Sequence, residues 1–321
     1  MPILTEQIKF YKSMYVNDSL TNGGRIGDTL ITDGALNNLF RNIQSSEREA
    51  GIDLYRKFFI KNENPNDLSL DNPNIRISNV SSGEDYFQIA LGTDTDNQAI
   101  ADDITDWYGS GYLHADFGPT ESSLDIICKQ ASGLPSGSSL MISNGLQQAE
   151  MVMLGTPSWN GSIATVTISG ETGLTFLRDV SIVSAIIPFD NISPSLENWS
   201  EGSAAGLYDE TLYPVTLYNI GTVTESWTLT FTSSTAFGVS GAIVGNVGTG
   251  VITENFVPVN GSGYYFNLDK MGWSGLWESG DTITFNTVHA AQGIWVKESV
   301  PLGAVSQSNN LMSISLIGES A

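Results

Sequence analysis

The chain has one cysteine, Cys128, in 321 residues. No intrachain disulfide can form and no Cys-x-x-Cys pair exists for zinc or thiol exchange, so folding is compatible with a reducing compartment. Histidine is nearly as scarce. Only His114 and His289 are present, and neither lies in the frame of a Ser-His-Asp set. There is no Gly-x-Ser-x-Gly elbow, and the stretch from Gly238 to Gly241 is one residue short of one. A Gly-x-x-x-x-Gly-Lys-Ser/Thr phosphate loop is missing too, and GNVGTG at 245–250 reads as a hairpin turn. No run approaches the length of a membrane-spanning helix, and the first residues lack a basic segment followed by an apolar one. The expectation is a chain without a secretion signal or a membrane partner.

Basic side chains are the other shortage. Thirteen Lys and Arg face thirty-five Asp and Glu, a formal charge of −22. Phosphate affinity comes from clustered Lys and Arg, so no nucleic-acid partner is expected, and anionic membranes are disfavoured for the same reason. The shortage is uneven. Residues 1–76 hold nine of the basic residues against ten acids, leaving Lys129, Arg178, Lys270 and Lys297 against twenty-five carboxylates in the rest. One reading is that acidity serves only solubility, whatever the function. Alternatively, the balanced first segment is a docking surface and the acidic remainder faces solvent.

Charged residues make up only 15% of the chain, and Gly, Ser, Thr and Asn fill most polar positions, which favours sheet joined by tight turns. The length suggests two domains, or three. Ile8, Phe10 and Met14 alternate with Lys9, Tyr11 and Ser13 as in a half-buried strand, and Asn22-Gly23-Gly24 supplies a turn. Leu36, Leu39, Phe40 and Ile43 fall on one helical face, predicting a helix over 35–49 capped by Asp33 and stopped by Gly51. From Tyr55 onward strand-sized pieces alternate with turn residues. In Trp227-Thr-Leu229-Thr-Phe231 the apolar side chains all point one way, which requires one buried face. The fold class expected is mostly β, with two or more antiparallel β-sandwich domains, Ig-like or jelly-roll-like, and one short N-terminal helix. The expected divisions are an arm at 1–50, a β domain at 51–135 and a C-terminal sandwich at 150–321. The last is open to subdivision near 192–210, where a polar stretch reads as a loop or linker.

Asp94, Asp96, Asp102, Asp103 and Asp106 offer hard oxygen ligands for calcium. Their spacing fails the EF-hand pattern, with Ala99 where the turn needs glycine, and a helix cap with solvated acids fits equally. Tyr264, Tyr265, Trp273 and Trp277 could form a platform for sugar rings or could fill a core. Paired carboxylates for glycoside hydrolysis carry little weight among so many acids. No catalytic set and no cofactor is expected.

At residues 30–62 the chain shows Ile31-Thr32-Asp33-Gly34, Asn37-Asn38-Leu39-Phe40, Glu47-Arg48-Glu49-Ala50-Gly51 and Tyr55-Arg56-Lys57, preceded by Gly23-Gly24-Arg25. This pattern resembles virion structural proteins encoded in the late gene clusters of tailed bacteriophages and Mu-like prophages. The likeness resumes at 225–241, at 281–304 and at Gly318 to Ser320, covering about half the chain in blocks. It implies a component of the virion made in the bacterial cytoplasm, and with no catalytic set in the chain the expectation is a non-enzymatic subunit, in the tail, neck, collar or baseplate more than on the capsid shell. Capsid decoration, or a receptor- or carbohydrate-binding module, are the alternatives. The implied partners are other virion proteins and copies of itself in a symmetric homo-oligomer. The docking surface expected is the N-terminal segment, with Leu36, Phe40, Arg41, Arg48, Arg56 and Lys57 at the interface.

Overall fold

The computed structural model describes residues 2–308 and 310–320. Regular structure is almost all antiparallel strand, and the only α-helices among the described residues are Ser45–Ala50 and Gln98–Ala101. The mostly β, antiparallel class read from the sequence holds. The strands form three units, each with its own apolar core, and the units nest instead of following one another along the chain.

The base is made from both ends of the chain. One sheet runs in the order Gly23–Leu30, Ile8–Tyr15, Ile52–Asn62, Ala291–Val300 and Tyr86–Leu91, and a second holds Ile187–Pro188, Leu70–Asn79 and Ser313–Ser320. Phe58, Ile60, Ile89, Ile294 and Val296 of the first share one core with Ile75, Ile77 and Ile187 of the second, a sandwich-like packing. The central pair, Ile52–Asn62 and Ala291–Val300, is in unbroken register from Lys61↔Ala291 to Ile52↔Val300. Both carry runs that are apolar on two faces, Phe58-Phe59-Ile60 and Ile294-Trp295-Val296, as strands covered on both sides require.

This pairing changes the reading of residues 1–50. Ile8–Tyr15 lies against Ile52–Asn62 from Ile8↔Asn62 to Lys12↔Phe58, so the segment is part of the base and not a separate arm. The Asn22-Gly23-Gly24 turn opens the edge strand. Gly23 has φ +101°, and a Cβ there would stand 2.6 Å from Cη2 of Trp295, so glycine is needed twice over.

The helix expected over 35–49 shrinks to Ser45–Ala50. Asn37 sits at φ 53°, a left-handed conformation that breaks a helix, and its neighbour Asn38 donates its side-chain amide to Thr32 O. Leu39 and Phe40 do bury their side chains against the base core, but from an irregular segment. The true start is signalled by Glu47, whose Oε2 accepts Gln44 N–H at 2.8 Å, and Gly51 ends the helix at φ 75°.

Between Tyr86–Leu91 and Ile187–Pro188 the chain builds the second unit. Its strands are Ser110–Leu113, Ser123–Ile127, Ser139–Ser143, Gln148–Met153, Ile163–Ser169 and Ile182–Ala185, with short Ser158–Asn160 on the outside. Met153 and Val152 pair with Ile168 and Ser169, which joins the ends of the sheet into a ring. Leu113, Ile126, Leu140, Ile142, Val166 and Val183 fill it. The stretch between the expected domains at 51–135 and 150–321 lies inside this barrel and supplies turns and the Ser139–Ser143 strand. Ser110 and Ser184 are cross-strand partners, so the barrel enters and leaves the base at one place.

The third unit is a five-stranded sheet ordered Ser195–Gly202, Thr282–Val288, Glu225–Phe231, Ala236–Gly241 and Gly245–Val251. Trp227, Leu229 and Phe231 are all buried and the residues between them exposed, as the alternation demanded. Two expectations fail here. Residues 195–202 form an edge strand instead of a linker; a bulge after Glu197, with Asn198 at φ 53°, obscures its period. GNVGTG is strand, not turn: the reversal comes before it, at 242–244. Ser195 pairs with Val288, so this unit too enters and leaves side by side.

Candidate functional sites

The basic residues expected to face a partner are used within the chain. Lys57 has no exposed surface; its Nζ lies 2.5 Å from Asp96 Oδ1, donates to Gly24 O at 2.7 Å, and sits 4.7 Å from the Phe59 ring centroid. Burial lowers its pKa against the pull of Asp96. Asp96 Oδ2 accepts Trp295 Nε1–H at 2.6 Å, so one carboxylate ties together three distant segments of the base. Arg56 is 3% exposed, pairs with Asp18, and is stacked on Phe40. Arg41 clasps Asp18 and holds Glu47 through two nitrogens. The Arg41 hydrogen bond lowers Glu47; for Asp18, burial acts upward but the two guanidiniums outweigh it and the pKa falls. Arg48 donates to Ile43 O and Ser45 Oγ. Of the six residues expected at an interface, only Leu36, at 61% exposure, faces outward without such ties.

Beside this network lies an open cleft of about 440 Å³, lined by Lys12, Asp18, Asn37, Asn38, Arg41 and Arg56 among others. Its two guanidiniums are already paired with carboxylates, which leaves Lys12 as the one lining cation without an ion pair among the described residues.

The five aspartates considered for calcium do not converge. Asp96 is bound to Lys57, while Asp94 lies 3.2 Å from His289 Nε2 and accepts the Thr224 hydroxyl. Burial would raise Asp94, but His289 and Thr224 together bring it below the usual range. Asp102, Asp103 and Asp106 are exposed, and no group of three metal-ligating side chains occurs among the described residues. Asn97, not Asp94 or Asp96, caps the short Gln98–Ala101 helix.

The aromatic group is mostly core. Trp277 is 2% exposed and stacks on Phe231 at 4.3 Å. Trp273 packs against Tyr208, Phe237 and Trp277, and Tyr265 against Trp227. Tyr264 alone is exposed, so no flat platform of four rings exists.

Other groups escaped the sequence reading. Asp85 and Glu298 are both 6% exposed and adjoin one another; Ser81 and Asn310 donate to Asp85, while Glu298 Oε2 has no partner. Burial first, then the Asp85 carboxylate, push Glu298 up to about 8. Lys129 Nζ is surrounded by oxygens of Ser81, Gly83 and Asp85. Cys128 lies inside the barrel, where burial raises its thiol to about 12 and leaves it unreactive. Arg76 is 7% exposed with no carboxylate beside it among the described residues. The only local signal for these was an ionisable residue within a strand, and such residues usually point to water.

No protein-family model, no curated protein and no solved structure matches the chain.

Proposed function

We propose that the chain is a non-enzymatic structural subunit of a tailed-phage virion, in its tail, neck, collar or baseplate. One observation carries this reading. The blocks that resemble phage virion proteins, at 30–62, 225–241 and 281–304, are far apart in sequence yet adjoin in space. Ile52–Asn62 pairs with Ala291–Val300 along its whole length, and Glu225–Phe231 lies between Thr282–Val288 and Ala236–Gly241. The intervening barrel contains none of them. A resemblance confined to one connected scaffold is what a shared architectural part would leave, with the barrel as an exchangeable insertion.

The mode of assembly differs from a mobile arm. Residues 8–30 are held in the base sheet, so contact with neighbours falls to the surfaces and free edges of a built platform. The acidic units stay soluble and apart from DNA through their charge.

The test is to purify particles from a lysogen carrying the gene with a C-terminal epitope. Co-purification with a labelled ring at the tail or neck supports the reading. Label over the whole shell, at hundreds of copies, would move the subunit to capsid decoration, and absence from particles would refute a virion role.

A further inference from the structure

The geometry points to Arg76 as the receptor for a carboxylate presented by a second copy of the chain. Arg76 lies in Leu70–Asn79 and is 7% exposed. Among the described residues its guanidinium makes one hydrogen bond, from Nη2 to Gln148 Oε1 at 3.5 Å, the outer limit of such a bond, and no ion pair, and its Nε has no partner. The chain's other enclosed cations each have an anionic or oxygen-rich partner: Lys57 has Asp96, Lys129 has four oxygens, and Arg56, although its Nε is likewise unpartnered, has Asp18.

A guanidinium does not escape burial by losing its proton, so an enclosed and unpaired one is a standing cost to the isolated fold. Burial depresses its pKa and no neighbouring charge opposes that shift. Polar groups left this way call for a partner outside the chain.

The position suits one. Arg76 is the cross-strand partner of Ser315 in Ser313–Ser320, the outermost strand of its sheet, so both side chains point to the same face. Gln148, which it reaches, is exposed and opens the barrel strand Gln148–Met153. The guanidinium therefore stands at the seam between base and barrel, near solvent on one side. Its fork matches a carboxylate, which takes two parallel N–H bonds. A second copy presents mostly that chemistry, since residues 77–321 carry twenty-five carboxylates and four cations. The site gives the assembling subunit proposed above a specific contact, and rests on that reading only in supposing self-association.

The experiment pairs sedimentation with urea unfolding for the full chain and for Arg76→Met and Arg76→Lys. At protein concentrations below the association range, Arg76→Met is expected to unfold at a urea concentration equal to or above that of the parent, because an unpaired buried charge has been replaced by an apolar chain of similar length. Its self-association should weaken at least tenfold. Arg76→Lys keeps the charge without the fork and should fall between the two. A strictly monomeric parent, or unchanged association in both variants, would overturn the proposal. So would an Arg76→Met protein that unfolds well below the parent, since the guanidinium would then be satisfied within the chain. Purified protein that associates through Arg76 but never enters particles would support this contact while defeating the virion role.

Discussion

Lys57 Nζ and Asp96 Oδ1 stand 2.5 Å apart with neither side chain appreciably exposed, and this pair joins the central base strand to the loop after Tyr86–Leu91. Through Trp295 Nε1 the same carboxylate also holds the strand Ala291–Val300, so the contact closes the fold between residues far apart in sequence. Replacing a buried ion pair with apolar groups can cost little, whereas removing one partner strands the other. Asp96→Asn and Lys57→Met should each lose about 3 kcal/mol of unfolding free energy, and the double variant should lose about 2 kcal/mol less than their sum. Urea titration of all four proteins measures the coupling. Simple additivity would show that the two charges do not depend on each other.

Gly23→Ala is expected to lose about 2–4 kcal/mol, because it sets a positive φ against a Cβ and drives that carbon into the Trp295 ring. The urea midpoint should fall with the slope unchanged. A midpoint within error of the parent would mean that the turn and ring separate without cost.

The nested order of the units leads to opposite outcomes for two deletions. Removing 1–50 takes away two strands of the base and should leave a chain without cooperative unfolding. Replacing 195–288 with a short Gly-Ser link should keep a folded base and barrel, since Ser195 and Val288 are already cross-strand partners. That shorter chain should be less stable, having lost the Thr224 contact to Asp94 and the Lys61 contact to Ile220. Dispersed amide resonances and a sigmoidal melt in the second deletion, with neither in the first, are the expected readouts. A folded 51–321 fragment would restore the view of the N-terminus as a separable arm.

Strand identity was legible wherever burial followed a local period, as in Trp227, Leu229 and Phe231, or in the doubly apolar Phe58-Phe59-Ile60. Nesting was not, because the partner of Ile52–Asn62 lies more than two hundred residues away and no local pattern records it. The 35–44 stretch had helical spacing in four apolar residues, but two of them pack from a segment that Asn37 breaks. Charge counting found that most of the cations lie near the N-terminus, nine of thirteen within residues 1–76. It could not reveal that Asp18, Glu47 and Asp96 would consume them, and so misassigned them to an interface. Arg76 sits between two buried isoleucines, where simple alternation would turn it toward water. The barrel packed against that face is what encloses it.

Glu298 gives the fold a pH dependence whose sign is set by its raised pKa. Its ordinary value is 4.5 and its value in the fold about 8, the work of burial and then of the neighbouring Asp85. Below pH 4.5 the group is protonated in both folded and unfolded chains and imposes no penalty. As pH rises the unfolded chain releases this proton first, so it binds fewer protons than the folded one and stability falls up to about pH 8. Above that the loss is complete, and amounts to something on the order of 5 kcal/mol from this group. Glu298→Gln keeps the shape and removes the titration. It should match the parent near pH 4.5 and exceed it by that margin, on the order of 5 kcal/mol, at pH 9, as read by urea unfolding at both values. The Asn310 contacts to Asp85 make the 301–312 segment the place to see the strain first, as faster amide exchange in the parent at high pH. Equal stability of the two proteins at pH 9 would show that Glu298 ionises freely in the fold and that its enclosure by Asp85 has no energetic consequence.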